Sequence, residues 1–506
     1  MKHFRTISAM LSACILTASC IAPQAIPAKA LPSEAWIYGD VNDDNHVDVS
    51  DAVLLARYFM EDRTAKVSDL GLLNADVDLD EELTGDDLNM ILEYIARIRK
   101  ELGVRESEIV QTYRATNLMA DISDKEAVKK DADEAFISSQ MQLTVDLFKG
   151  AAKDEQTKDN MLVSPLSVSQ ALAMTANGAV GTTKEQMEKL LGGQIDLETL
   201  NAYYRSYTDK LTVNDDVLHI ANSLWIRDDQ SRINVPESFL QTTNDYYHAG
   251  AFKAPFDDTT VEDVNNWVNV HTHRMIPQLV DIIEDDWIMM LVNALAFEAE
   301  WAKPYYNWDV DEDTFHAYDG NMKVEMMHGS EYSYLEDENA TGFLKYYKDA
   351  NFAFAAILPN ESVSVNEYID SMTGESLQKM LTNVQHTKVK TEMPKFKYEY
   401  KINMNEMLKA LGVKDAFVPG AADFSKLNTV EEALTHIGLV LHKTFIQVDE
   451  RGTKAGAATL VAMAQGAALE PEPKYVTLDR PFIYAIIDRE TNLPVFIGTV
   501  QHPTEA

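Results

Sequence analysis

Between a β-rich run, Lys443 to Val448, and an apolar run that begins at Tyr475 lies Glu450-Arg451-Gly452-Thr453-Lys454-Ala455-Gly456-Ala457-Ala458-Thr459-Leu460-Val461-Ala462-Met463. Its alanines favour helix, yet Gly456, and Gly466 just beyond, each cost roughly 1 kcal/mol against Ala in a helix interior. Read with a period of two, Thr453, Ala455, Ala457, Thr459, Val461 and Met463 share one face of an extended strand, and all are small or apolar. Lys454, the only charge after Arg451, falls on the other face with Gly456, Ala458, Leu460 and Ala462. With so little side-chain bulk in its first half, such a strand could slide into an existing sheet and leave its one charge in solvent. Helix and strand both remain open, but the strand reading asks for a sheet elsewhere in the chain.

The chain is long enough to supply one. Its 506 residues, 46% hydrophobic, suffice for two or three domains and at least one large core. A net charge of −37 argues against nucleic acid, since nothing offsets phosphate repulsion, and suits a soluble, secreted or Ca²⁺-loaded protein. Residues 1–30 read as a signal peptide. Lys2, His3 and Arg5 precede the apolar run Ile7 to Ala22, and Ala28-Lys29-Ala30 fits an A-x-A cleavage site. Interruption of that run by Ser, Thr and Cys argues against a membrane span. Both cysteines, Cys14 and Cys20, lie in it, so the mature chain would carry no disulfide despite export. A lipoprotein processing site at Thr17-Ala18-Ser19-Cys20 competes, with Thr17 where an aliphatic residue is usual.

Residues 36–100 contain a repeat. Asp40, Asn42, Asp44, His46, Asp48 and Asp51 occupy positions 1, 3, 5, 7, 9 and 12 of a calcium loop, and Asp76, Asp78, Asp80, Glu82, Thr84 and Asp87 repeat the pattern. This spacing wraps side-chain and backbone oxygens around a Ca²⁺ ion, one per loop, with His46 and Glu82 offering their carbonyls. Two acidic surface turns would be the plainer reading. Both loops, however, run into amphipathic helices, with Val53, Leu54, Tyr58 and Phe59 apolar after the first and Leu88, Ile91, Leu92 and Ile95 after the second.

Gly39-Asp40-Val41-Asn42, Asp at position 12 of each loop, and the lack of a helix ahead of the first loop make residues 36–104 resemble a type I dockerin. That resemblance implies a small all-α, calcium-binding module that plugs into a cellulosome scaffold through a cohesin partner. The usual glycine at position 6 is Asn45 in the first loop and Glu81 in the second. Glu tolerates a left-handed backbone poorly, which points to a weaker second site. Positions 10 and 11, where such modules read their partner, are Val49-Ser50 and Gly85-Asp86. These differ from each other and so speak against two-way binding. Residues 105–116 read as linker.

Glu450-Arg451-Gly452-Thr453 with its small-residue run resembles the hinge of a serpin reactive-centre loop, and Val476-Thr477-Leu478-Asp479-Arg480-Pro481-Phe482-Ile483-Tyr484 resembles the family's C-terminal signature. Further matches lie at Asn160-Met161-Leu162-Val163-Ser164-Pro165-Leu166-Ser167, Asn222-Ser223-Leu224-Trp225, Leu291-Val292-Asn293-Ala294-Leu295 and Trp301-Ala302-Lys303-Pro304. The resemblance covers residues 117–506. It implies an α+β serpin fold, with a large mixed central β-sheet, further sheets and helices, and an exposed reactive-centre loop. It also assigns roles: a hinge at Glu450, Gly452, Thr453, Ala455, Ala457 and Ala458, a shutter at Ser164, Ser167, Asn293 and His442, and a breach at Trp301. Family spacing from Glu450 puts the reactive bond at Gly466–Ala467. Counting back from Pro481 gives Glu470 instead, in front of Pro471.

A catalytic apparatus is not evident: the sequence has no G-x-S-x-G, no H-E-x-x-H and no phosphate-binding glycine loop. His271-Thr272-His273 could suggest a metal, but residues two apart on a helix diverge. The leading expectation is a secreted inhibitor that traps serine proteases of elastase or subtilisin type, carried by a dockerin. A non-inhibitory serpin-fold module and a polysaccharide-degrading enzyme are the alternatives. The entering face of the loop, free of bulk, charge and proline from Thr453 to Thr459, favours the inhibitor.

Overall fold

The computed structural model describes residues 24–25, 37–42, 46–60, 62, 64–78, 82–95, 102, 113–153, 159–213, 217–272, 275–284, 287–348, 351–430, 434–453 and 472–503. These fall into two compact units, one up to Leu102 and one from Tyr113 onward. Ala455, Ala457, Ala458, Gly466 and Ala467 lie outside the described residues, as do Asp44, Asp80 and nearly all of the expected leader and linker.

The first unit holds α1 (Val49–Phe59), α2 (Asp69–Ala75) and α3 (Gly85–Ile95), with β1 (Gln24–Ala25) paired to β2 (Glu82–Leu83). Asp48 starts α1 by accepting the Ser50 N–H, and Asp51 reaches back to the Asp48 N–H, a capping box. Helix α1 buries Ala52, Leu55, Ala56 and Phe59 against Leu88, Ile91 and Leu92 of α3. The α3 face is the one its periodicity predicts. On α1 the buried stripe follows i, i+3, i+4, i+7 from Ala52, so Val53 is exposed and Leu54 and Tyr58 only half-buried, contrary to the expected face.

Three sheets organise the second unit. Long, almost uninterrupted apolar runs make the six-stranded sheet, in the order β11 (Tyr334–Glu336), β12 (Ala340–Tyr346), β13 (Phe352–Pro359), β19 (Phe482–Asp488), β20 (Pro494–Val500), β4 (Met161–Val163). Every residue of β13, β19 and β20 is buried, which is why these strands show no polar alternation. A four-stranded sheet runs β18 (Lys474–Thr477), β14 (Val389–Pro394), β10 (Gly320–Glu331), β9 (Val310–Ala317), with β18 parallel to β14.

The largest sheet runs β3 (Thr116–Asn117), β6 (Gly250–Ala254), β5 (Leu218–Arg227), β7 (Met289–Phe297), β16 (Val440–Val448), β17 (Gly452–Thr453), β8 (Ala299–Glu300), with β15 (Phe396–Asn403) also paired to β16. Helix α4 (Glu134–Ala152) packs against β20 and β4, and α5 (Pro165–Ala176) packs against β7, β5 and β20. Ser164 caps α5 and Pro165 opens it, a first-turn position where a missing N–H costs nothing. All twelve residues of α5 are buried. No helix among the described residues is long and apolar enough to cross a membrane.

Candidate functional site

In the second acidic loop the carboxylates of Asp76, Asp78 and Asp87 bring one oxygen each within 4.8 Å of one another. Asp87 is fully buried and accepts the N–H groups of Val77 at 2.9 Å and Thr84 at 2.8 Å. Burial, reinforced by the charges of Asp78 and Asp76, pushes its carboxyl up to about 8. A divalent cation would remove that penalty, so the donor set fits a hard-oxygen ion such as Ca²⁺. Asp51 of the first loop is arranged alike, accepting from Val41 at 2.8 Å, Asn42 at 3.0 Å and Asp48 at 2.9 Å. Asp40 is buried, Asn42 half-buried and His46 exposed, as a carbonyl donor can be. The Glu82 side chain lies outside the described residues.

The expected hinge begins in a tight turn, where Asp449 Oδ1 accepts the Arg451 N–H at 2.8 Å and the Asp449 N–H donates to Gly452 O at 3.0 Å. Gly452 and Thr453 then form β17, already seated in the large sheet: Thr453 pairs with Val448 of β16, and both residues pair with β8. A Cβ on Gly452 would lie 2.1 Å from Ala299 O, so the backbone approach admits no side chain. Thr453 is 2% exposed and shares a hydrogen bond of 2.6 Å with the Tyr347 hydroxyl.

Trp301 and Tyr305 hold the three preceding carbonyls. Trp301 donates its backbone N–H to Arg451 O at 2.7 Å and its indole N–H to Asp449 O at 2.9 Å, and the Tyr305 N–H reaches Glu450 O at 2.8 Å. Trp301 stacks on Tyr347 with ring centroids 4.5 Å apart. The Glu450 carboxylate meets Lys395 at 2.8 Å, and although burial opposes it, that ammonium holds Glu450 below its usual range. Lys395 also reaches Glu325 at 3.3 Å.

Below this end the sheet is only partly closed. Strands β7 and β16 pair in parallel from Leu291↔Val440 to Ala294↔Lys443, and there the pairing stops. Above it, β17 occupies the place beside Val448. Within the paired segment, one step from the end nearest β17, Asn293 lies opposite His442, and the Ser164 N–H donates to His442 Nε2 at 3.0 Å. Ser164 Oγ in turn accepts the Ser167 N–H at 3.3 Å. All four side chains are buried, and burial pulls His442 down to about 4, leaving it neutral. His442 Nδ1, Asn293 Oδ1 and Ser167 Oγ find no hydrogen-bond partner among the described residues. The Asn293 amide donates to Asn222, which donates to Gln170 at 2.8 Å, and Gln170 donates to Thr208.

The model for serpins (serine protease inhibitors) matches residues 138–503, and that for type I dockerin domains matches residues 38–96. The chain belongs to the serpin family. An uncharacterised serpin-like protein of Thermococcus kodakarensis is 30% identical over 75% of this chain and 88% of its own. Leukocyte elastase inhibitor A of Rattus norvegicus is 28% identical over 73% of this chain and 100% of its own. The native structure of the thermophilic serpin tengpin superposes with a TM-score of 0.72 at 47% identity, covering 77% of this chain and 99% of that one.

This serpin thus carries an N-terminal type I dockerin, a module type that binds calcium. Family membership places it among protease inhibitors rather than enzymes, which displaces the polysaccharide-degrading alternative. The expected shutter residues meet around the β7–β16 pairing, and Trp301 meets the hinge. His271 stacks on Trp267 at 4.2 Å, and His273 lies outside the described residues. Sequence reasoning missed Lys345 and Glu331, a buried pair 2.9 Å apart whose ammonium lies 4.2 Å from the Tyr305 ring and 5.3 Å from that of Trp301. The available signal was a single lysine inside the apolar run Phe343 to Tyr347. It also left Lys395, Asn222 and Gln170 without a role: Asn222 entered only within the family match Asn222-Ser223-Leu224-Trp225, and all three meet their partners only once distant strands and helices assemble.

Proposed function

We propose that this serpin is a secreted inhibitor that traps serine proteases by inserting its cleaved reactive-centre loop, and that its dockerin holds two Ca²⁺ ions and tethers it to a scaffold cohesin. The observation that carries the reading is the parted sheet: Gly452 and Thr453 sit in strand position while β7 and β16 pair over only four residues below them. In this reading the protease serine attacks the reactive-bond carbonyl, the peptide bond breaks, and the new amine leaves with the proton. The acyl ester that remains is carried away as residues after Thr453 zip in between β7 and β16.

Continuing the Thr453↔Val448 and Thr453↔Ala299 registers residue by residue puts Thr459 between His442 and Asn293. Thr459 has the parity of buried Thr453, so its hydroxyl would face the polar atoms left without partners there. Each unpartnered buried group costs about 1–3 kcal/mol, so satisfying them favours insertion. The hinge residues Ala455, Ala457 and Ala458 carry no bulk to oppose it.

We place the reactive bond at Gly466–Ala467 or within two bonds of it. The segment Ala464 to Leu469 is small and apolar with no Lys or Arg for a trypsin-like pocket, and similarity to an elastase inhibitor points the same way. Incubation with leukocyte elastase and subtilisin should give a complex stable on a denaturing gel, and mass spectrometry of the released C-terminal peptide should locate the cut. Cleavage without complex would favour a non-inhibitory module, and cleavage upstream of Met463 or inhibition of trypsin alone would refute the placement.

A further inference from the structure

Lys345 and Glu331 play no part in the loop chemistry above, yet they place two charges in the core. The Lys345 side chain, in β12, is 3% exposed and that of Glu331, in β10, is 11% exposed. Such a pair is a poor way to gain stability, because desolvation offsets most of the attraction and apolar residues of similar volume serve as well or better. What a buried ammonium supplies instead is direction, since its few donors must each find a particular acceptor.

Those acceptors lie on one short stretch and on the carboxylate behind it. Lys345 Nζ donates to Glu331 Oε1 and to Lys303 O, both at 2.9 Å, and stands 4.2 Å from the Tyr305 ring centre and 5.3 Å from that of Trp301. Three of the five residues from Trp301 to Tyr305 therefore meet one ammonium. The stretch needs such an anchor. Strand β8 ends at Glu300, and beyond a single bridge from Trp301 to Tyr347 there is no ladder, while Pro304 has no N–H to offer one.

On its other side the same stretch holds the expected hinge. The Trp301 N–H, the Trp301 indole and the Tyr305 N–H donate to Arg451 O, Asp449 O and Glu450 O at 2.7, 2.9 and 2.8 Å. Ala302 N–H to Tyr346 O at 2.9 Å ties the stretch to β12, and Lys345 fixes the carbonyl midway between the two rings.

The geometry points to Lys345 as a positioning residue for loop insertion: it fixes residues 301–305 so that their three N–H groups hold the carbonyls of residues 449–451 where the sheet parts. The inference rests on the inhibitor reading above. Held in this way, Gly452 and Thr453 are ordered before cleavage, and insertion begins without the entropy cost of fixing them. With the anchor gone the turn at 449–451 must be ordered during insertion, which slows insertion against deacylation and releases the protease.

The test uses the full chain with Lys345→Met and Glu331→Leu together, which leaves no charge stranded; a urea titration confirms folding. Hydrogen exchange at the Trp301, Tyr305, Gly452 and Thr453 amides should quicken about tenfold, with β13 and β19 unchanged as internal reference. With leukocyte elastase the association rate should stay at the wild-type value, because acylation precedes insertion, and the stoichiometry of inhibition should rise severalfold. A purely structural pair would shift the urea midpoint and move neither exchange nor stoichiometry. Unchanged exchange refutes positioning by Lys345, whether or not the chain inhibits. Faster exchange at the wild-type stoichiometry refutes its part in insertion while the inhibitor reading stands. If the wild type forms no complex, that reading fails and the part in insertion falls with it, and exchange alone decides whether Lys345 holds residues 301–305 in place.

Discussion

Protonation of His442 should weaken the closed sheet by an amount that can be worked out. Its ring is fully buried, and Nε2 accepts the Ser164 N–H, so the neutral form with its proton on Nδ1 is the one the fold requires. The unfolded chain binds a proton near 6.5 and the folded chain near 4. Between those values the unfolded state holds more protons, so this contribution is whole above about pH 6.5 and lost as pH falls toward 4. From pH 7.5 to 5.0 the difference amounts to about 2 kcal/mol. Urea denaturation followed by tryptophan fluorescence at both pH values, in the wild type and in His442→Gln, isolates it. Gln keeps an acceptor for Ser164 without titrating, and the many carboxylates act equally in both proteins. The wild type should lose about 2 kcal/mol more than the variant on acidification. An identical pH response in the two would refute the assignment of a neutral, acid-sensitive His442.

Thr453→Arg should turn inhibitor into substrate, because a guanidinium in this buried strand position costs on the order of several kcal/mol and slows insertion relative to deacylation; covalent complex at the wild-type stoichiometry would contradict it. Lys345→Met, which strands the buried Glu331 carboxylate, should cost about 3 kcal/mol in a urea titration, and adding Glu331→Leu should restore most of it. Chelation should open the dockerin, since Asp87 would then carry its buried charge alone or take up a proton; limited proteolysis of the full chain with and without chelator should show new cuts before Tyr113, and an unchanged digest would argue against calcium-dependent folding.

The sequence alone identified the serpin family and the type I dockerin, because the motifs that carry them depend on short-range spacing: alternate oxygens around an ion, alternate small residues along a strand. It also placed α3, whose stripe repeats cleanly, but misplaced the buried face of α1, where the alanines at 52 and 56 pack inward and Val53 points to solvent. Ser164, Ser167, Asn293 and His442 were nameable only through resemblance, since nothing local marks a serine at a helix cap or a histidine in a strand as buried. That they meet follows from the pairing of β7 with β16, strands about 150 residues apart in the chain. The same holds for Lys395 against Glu450 and for Lys345 beneath Trp301. Ion pairs and orphaned polar atoms have no periodicity of their own. They exist only once distant strands set the distances and remove the water, and it is this that turned a list of matching residues into a sheet held open at one end.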